Sequence, residues 1–279
     1  MKRGIIIALL IVALALVCAG IGAVTFFAAN GGFPTNNPFD RRNISSVVEE
    51  SKTLEVDPEK TLTLKVVDQA GSVSISAADV DTVQVTAVKT AYDSTQARAD
   101  EEVKAVKYTI QQTGNNITLR YEIPDSMNFS NNVNTVDFIV IVPSEVIVDV
   151  DGSMGAVSVA GTKGNVDIKN DFGNITVDNV EGALSVETNS GEVEATSIKA
   201  GTGTIDLHSE FGAITLENAN ARDITVDSSS GTITFSEVRA TGELTSQTGY
   251  GNIVYENGNA GSLRLETSSG MVQLTKVRV

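Results

Sequence analysis

The chain has 279 residues, with 35 acidic residues against 20 basic ones, a formal net charge of −15, one cysteine and no tryptophan. Such acidity disfavours nucleic acid and anionic lipid headgroups as partners, and a lone cysteine excludes an internal disulfide framework. With aromatic residues at 5 %, any core must be made of Val, Ile and Leu, which suits a thin core better than a wide globular one.

The N-terminus reads MKRG and continues into an uncharged apolar run from Ile5 to about Ala29. The run is long enough to span a bilayer and longer than a typical signal-peptide core. Lys2 and Arg3 precede it, so the positive-inside rule predicts a single-pass anchor over residues 1–29, with a cytoplasmic N-terminus and everything after residue 30 outside the cell membrane. Two rival readings stay open: a signal peptide cleaved near Ala28 and Ala29, and a lipid anchor at Cys18. From residue 30 onward the chain holds 18 basic and 35 acidic residues, a formal charge of −17.

Residues 30–52, which begin NGGFPTNNPFDRRN, read as a linker. A β-rich ectodomain is predicted over 53–279, its first unit marked by Leu64, Val66, Gly71, Val73 and Ile75, with Val83 and Val85 continuing it. The pattern then breaks. Asp93-Ser94-Thr95-Gln96 resembles a helix start and predicts one short helix near 95–105. Val106/Tyr108/Ile110 and Ile117/Leu119/Tyr121 flank Thr113-Gly114-Asn115-Asn116, a hairpin signal. The polar stretch 124–134 reads as a surface loop, and the whole irregular section, about 90–145, as a cap or widening of one end.

After that section one short phrase recurs, centred on Gly155, Gly173, Gly191, Gly212, Gly231, Gly251 and Gly270, with gaps of 18, 18, 21, 19, 20 and 19 residues. Apolar residues stand seven and five places before each glycine (Val166/Ile168, Ile205/Leu207) and two and four places after it (Ile175/Val177, Ile214/Leu216). A third stands seven after it (Val180, Ile198, Ala219, Val238, Val277). Apolar residues two apart describe strands with one buried and one wet face. The change of parity across the glycine describes an arc between two strands. No unit can bury its own face alone, so the repeat predicts an all-β fold, a parallel β-helix or β-solenoid with units of ~19–20 residues. Whether one unit or two make a coil stays open. At the far end Lys276 and Arg278 read as guards of a sheet edge, with pairing between chains as the alternative.

Candidate chemistry is sparse. The only histidine, His208, lies on the outward parity beside Asp206 and Glu210 and reads as a solvated surface residue. Asp149 and Asp167 share an offset in successive units, the best carboxylate pair for sugar cleavage or calcium, yet the offset continues as Ser185, Asp206, Thr225, Thr245 and Arg264. No catalytic residue, metal ligand or cofactor is assigned. Phe172, Phe211 and Tyr250, each just before a glycine, form a row alternating with Ser190, Ser230 and Ser269. Facing out, the rings would be a glycan-stacking platform; facing in, they would fill a corner. Their even spacing from the inward positions seven and five before the glycine favours the corner.

The phrases NDFGNITVDNVEG, TNSGEVEATSI, SEFGAITLENA and SSSGTITFSEV, after QAGSVSISAADVDTVQV, resemble the bacterial putative-adhesin β-helix domains, a family of unknown function, across roughly 50–279. The resemblance implies an extracytoplasmic β-helix linked with adhesion or envelope stress, and it supplies no site residues. The expectation is a membrane-anchored, non-enzymatic surface adhesin or binding scaffold with a glycan or protein ligand. The alternatives are a polysaccharide-active β-helix enzyme and an envelope-stress accessory protein acting through a membrane partner.

Overall fold

The computed structural model describes residues 44–124 and 133–279. The apolar run Ile5–Ala29, Cys18, Arg41, Arg42 and most of the polar stretch 124–134 lie outside the described residues. Among the described residues no helix is long and apolar enough to cross a membrane.

The first described strand is β1 (Ile44–Glu55), so the chain is already in a sheet across part of the stretch whose composition read as linker. The first coil follows as β2 (Leu62–Asp68) and β3 (Val73–Ala78). β4 (Thr82–Asp93) leaves the solenoid path and runs antiparallel to β1. Helix α1 (Gln96–Ala105) is capped by Thr95, whose side chain accepts from the N–H of Arg98, and turns Ala99 and Val103 inward. The hairpin β5 (Thr109–Thr113) and β6 (Asn116–Tyr121) forms about Gly114 and Asn115. β7 (Thr135–Pro143) then pairs parallel with β3 and antiparallel with β4.

Regular winding begins at β8 (Val146–Met154) and β9 (Val157–Ala160). It continues through β10 (Val166–Phe172) and β11 (Ile175–Asp178), β12 (Leu184–Ser190) and β13 (Val193–Thr196), and β14 (Thr204–Phe211) and β15 (Ile214–Glu217). The short β16 (Asn220–Ala221) precedes β17 (Asp223–Ser230) and β18 (Ile233–Ser236), β19 (Arg239–Tyr250) and β20 (Ile253–Glu256), and β21 (Asn259–Ser269) and β22 (Val272–Thr275). Strands before the glycines stack into one 11-stranded sheet and those after them into another.

The register settles the coil. Phe172 pairs with Ser190, and Ser190 with Phe211, so one unit is one coil and the large residues alternate with small ones along the corner. The predicted inward positions are buried throughout the middle coils, for example Val166, Ile168, Ile175, Val177 and Val180, all within 1 % exposure. They join the inward residues of the other sheet in one apolar core, each Val or Ile contributing about 1.5–3 kcal/mol relative to exposure. Phe235 and Tyr255 meet edge to face inside it at 5.5 Å, and the Tyr255 hydroxyl donates to the Val238 carbonyl at 2.9 Å.

Coil order in space departs from coil order in sequence. β2 lies between β6 and β8, and β3 between β7 and β9. The irregular section thus wraps back past the first coil and caps the end beyond it, with Lys89 paired to Glu50 and the Tyr108 hydroxyl donating to Glu50 at 3.0 Å. Val83 and Val85 are core residues, on the antiparallel β4 and not on a coil. At the other end the backbone of Arg278 accepts from the Ala260 N–H at 3.0 Å, and Lys276 sits at a corner with φ of 53°.

Candidate functional site

Two corners shape each coil. At the first, successive glycines stack so closely that a Cβ on Gly173 would come within 2.1 Å of the Gly155 carbonyl oxygen, and one on Gly231 within 1.9 Å of that of Gly212. No other residue fits that approach. The second corner lies six residues on, where Gly161, Asn179, Ser197, Asn218, Glu237, Asn257 and Lys276 all have φ between 49° and 77°. Each of the inner members donates its N–H to the next coil, as Asn218 does to the Ser236 carbonyl at 2.9 Å.

Between strand and first corner lies a device that the repeat encodes but its apolar pattern hides. Three residues before the glycines from Gly173 to Gly251 stands a small polar residue pointing inward: Asn170, Thr188, Ser209, Ser228 and Thr248 are all buried. Apart from Thr188, they donate to the glycine carbonyls of the preceding coil, as Asn170 does to Gly155 at 3.0 Å, Ser228 to Gly212 at 3.2 Å and Thr248 to Gly231 at 3.0 Å, and Thr267 does the same to Gly251 at 2.9 Å. In the first coil the same place holds Asp68, 1 % exposed. It accepts from the Ala70 N–H at 3.0 Å, and burial, with Asp137 nearby, pushes its pKa up to about 7. The signal was a Ser, Thr, Asn or Asp at one fixed offset.

The same stretch decides where the aromatic row points, and it overturns the corner-packing expectation. Phe172, Phe211 and Tyr250 are 57 %, 60 % and 70 % exposed, and Met154 extends their column at 40 %. Parity counting fails because the ladder is interrupted two residues before each glycine: Asn170 pairs with Thr188 and Phe172 with Ser190, while Asp171 and Asn189 are passed over. The strand kinks there, so two consecutive residues face water. Asn189 instead donates from its side chain to Asp171 at 2.9 Å.

The rings therefore form a ridge in one in-register column along the solenoid, two strand spacings or ~9.6 Å apart, with Ser190 and Ser230 in the intervals. Asp171, Asn189 and Glu210 line one side, all exposed. On the other side Asn174 and Asn252 lock their side-chain oxygens onto the N–H groups of Glu192 and Met271 at 3.1 and 2.9 Å. That flank is thereby tied into the backbone framework.

The remaining candidates do not assemble. Asp149 and Asp167 are in register on neighbouring strands, but Asp149 is held by Lys65 at 2.7 Å. Among the described residues no three His, Cys, Asp or Glu side chains are placed to hold a metal ion. His208, half-buried, is flanked in register by Glu187 and Asp227. Burial raises the Asp227 pKa against the opposing pull of the Gln247 N–H and of His208.

No curated protein matches the chain. Among solved structures, a putative adhesin from Bacteroides fragilis NCTC 9343 is 17 % identical over 83 % of this chain and 97 % of its own, with a TM-score of 0.50, a likeness of fold. A putative adhesin from Parabacteroides distasonis ATCC 8503 is 17 % identical over 81 % and 97 %, with a TM-score of 0.48. A putative lipid binding protein from the same organism is 17 % identical over 81 % and 96 %, with a TM-score of 0.38. The family model described as Toastrack DUF4097 matches residues 63–276, which takes in every coil from β2 to β22, and the chain belongs to that family.

Proposed function

We propose that this chain is a non-enzymatic binding scaffold, anchored in the cell membrane through residues 5–29 and exposed outside it, which recognises a surface ligand through the ridge Phe172, Phe211 and Tyr250. The observation that carries the reading is the exposure of three rings on one in-register column of parallel ladders. Exposed large apolar side chains scattered singly need no explanation, whereas an ordered row on a framework of fixed pitch marks an interaction surface. The polysaccharide-cleaving alternative draws no support from Asp149 and Asp167, since Lys65 occupies the first of them.

The test presents the full chain, wild type and Phe172→Ser/Phe211→Ser/Tyr250→Ser, to arrays of cell-wall glycans, host glycans and envelope proteins. Serine already occupies the alternate places of the column, so the variant keeps its fold, checked by circular dichroism and Tm. Loss of binding in the folded variant is expected; undiminished binding sinks the ridge. Labelling of intact cells with a membrane-impermeant reagent tests placement: residues after 30 are expected to react, and protection on intact cells with reaction after lysis would put them inside.

A further inference from the structure

We infer that the ridge is a ruler for an extended, uncharged β-linked polysaccharide lying along the solenoid, every second sugar seated on a ring; the inference rests on the ridge being the recognition face. The spacing is the first ground. Rings on alternate coils recur at ~9.6 Å, and in a β-1,4-linked pyranose chain each sugar is flipped relative to the last, so the same face recurs once per disaccharide, close to that interval. An α-linked chain curves away from a straight row.

Relief is the second ground. The intervals hold Ser190 and Ser230, small and partly exposed, leaving shallow gaps for the flipped sugar between two ring contacts. Charge is the third. In the columns at two before, one before and one after the corner glycines, from Gln69 to Met271, there is no Lys or Arg, while Asp171, Glu192 and Glu210 are present. These carboxylates and Asn189 accept from sugar hydroxyls, and they repel phosphate, sulfate and uronate groups. The column is carried on continuous parallel ladders, so little ordering of the backbone opposes association.

Titration calorimetry and ligand-observed NMR on the full chain supply the test, with cello-oligosaccharides and chito-oligosaccharides of two, four and six sugars as probes. Affinity is expected to rise by about fivefold for each further ring engaged. Maltohexaose and oligogalacturonate are the α-linked and anionic controls, and neither is expected to bind. The decisive variant is Ser190→Phe/Phe211→Ser, which keeps three exposed rings but moves the middle one by a coil. Unchanged Tm with hexasaccharide affinity reduced by at least fivefold is the expected result. Equal binding by the swapped variant, equal binding of maltohexaose, or no binding of any β-linked hexamer overturns the inference. If the β-linked probes fail while another ligand is lost in the three-serine variant, the glycan falls and the recognition face stands.

Discussion

Thr248 donates its hydroxyl to the carbonyl oxygen of Gly231, one coil below, at 3.0 Å. Thr188 occupies the same place in its own coil, buried to 1 % exposure, and its hydroxyl has no hydrogen-bond partner. A buried hydrogen bond contributes about 1 kcal/mol net, whereas an unsatisfied buried hydroxyl costs about 1–3 kcal/mol. Valine matches threonine in shape. Thr248→Val is therefore expected to lower stability by about 1 kcal/mol and Thr188→Val to raise it by a similar amount, read from urea midpoints at constant slope. A loss at Thr188 as large as that at Thr248 would count against the assignment.

Asp68 makes stability depend on pH in an unusual direction. Its folded pKa of about 7 lies above its unfolded value, chiefly because burial disfavours the charge. Between about pH 4 and 7 the unfolded chain has released this proton while the folded chain keeps it, so stability falls as pH rises through that window and levels off above it. Asp68→Asn keeps the acceptor for the Ala70 N–H and removes the charge. The variant is expected to be more stable than wild type at pH 8, by up to about 4 kcal/mol, and close to it at pH 4. Denaturant melts at the two values check this, and an equal difference at both would refute it.

The second corner offers an exposed site for improvement. Glu237 has φ of 57°, a left-handed conformation that strains most L-residues and that asparagine tolerates better. Asn179, Asn218 and Asn257 already hold that place. Glu237→Asn is expected to raise stability by about 0.5–1 kcal/mol, seen as a higher Tm with ligand binding unchanged.

The first corner offers the opposite. A methyl on Gly231 would lie 1.9 Å from the carbonyl oxygen of Gly212, and backbone cannot yield as a side-chain tip can. Gly231→Ala is expected to cost about 3 kcal/mol or more. Thermal melting decides, and a Tm within two degrees or so of wild type would show that the stack relaxes.

The period of the glycines and the apolar residues around them made the solenoid legible, because burial in a thin core tolerates nothing else at Ile168 or Val177. The alternation of Phe and Ser could not say whether one unit or two close a coil, since both give a regular column; pairing of Phe172 with Ser190 decides it. Parity counting points the rings inward because it assumes an unbroken strand and cannot see the kink at Asp171. Asn179, Asn218 and Asn257 share one offset, and the left-handed conformation asparagine accepts is the only local mark of the second corner, one that the apolar pattern does not carry. The place of the first coil was illegible: Leu64 pairs with Ile117 on one side and Val148 on the other, and nothing local encodes neighbours so far away.

That placement gives the fold a mechanical property. A pull on the N-terminal side of β1 first meets its antiparallel ladder with β4 and the seat of Leu54 in the core. The next segment, β2, is hydrogen-bonded on both flanks, to β6 and to β8, so it cannot peel from a free edge and the load divides between two neighbours. A molecule wound in strict sequence would unravel coil by coil from its pulled end; this one is knotted off, in effect, like a rope whose first turn is trapped beneath later ones.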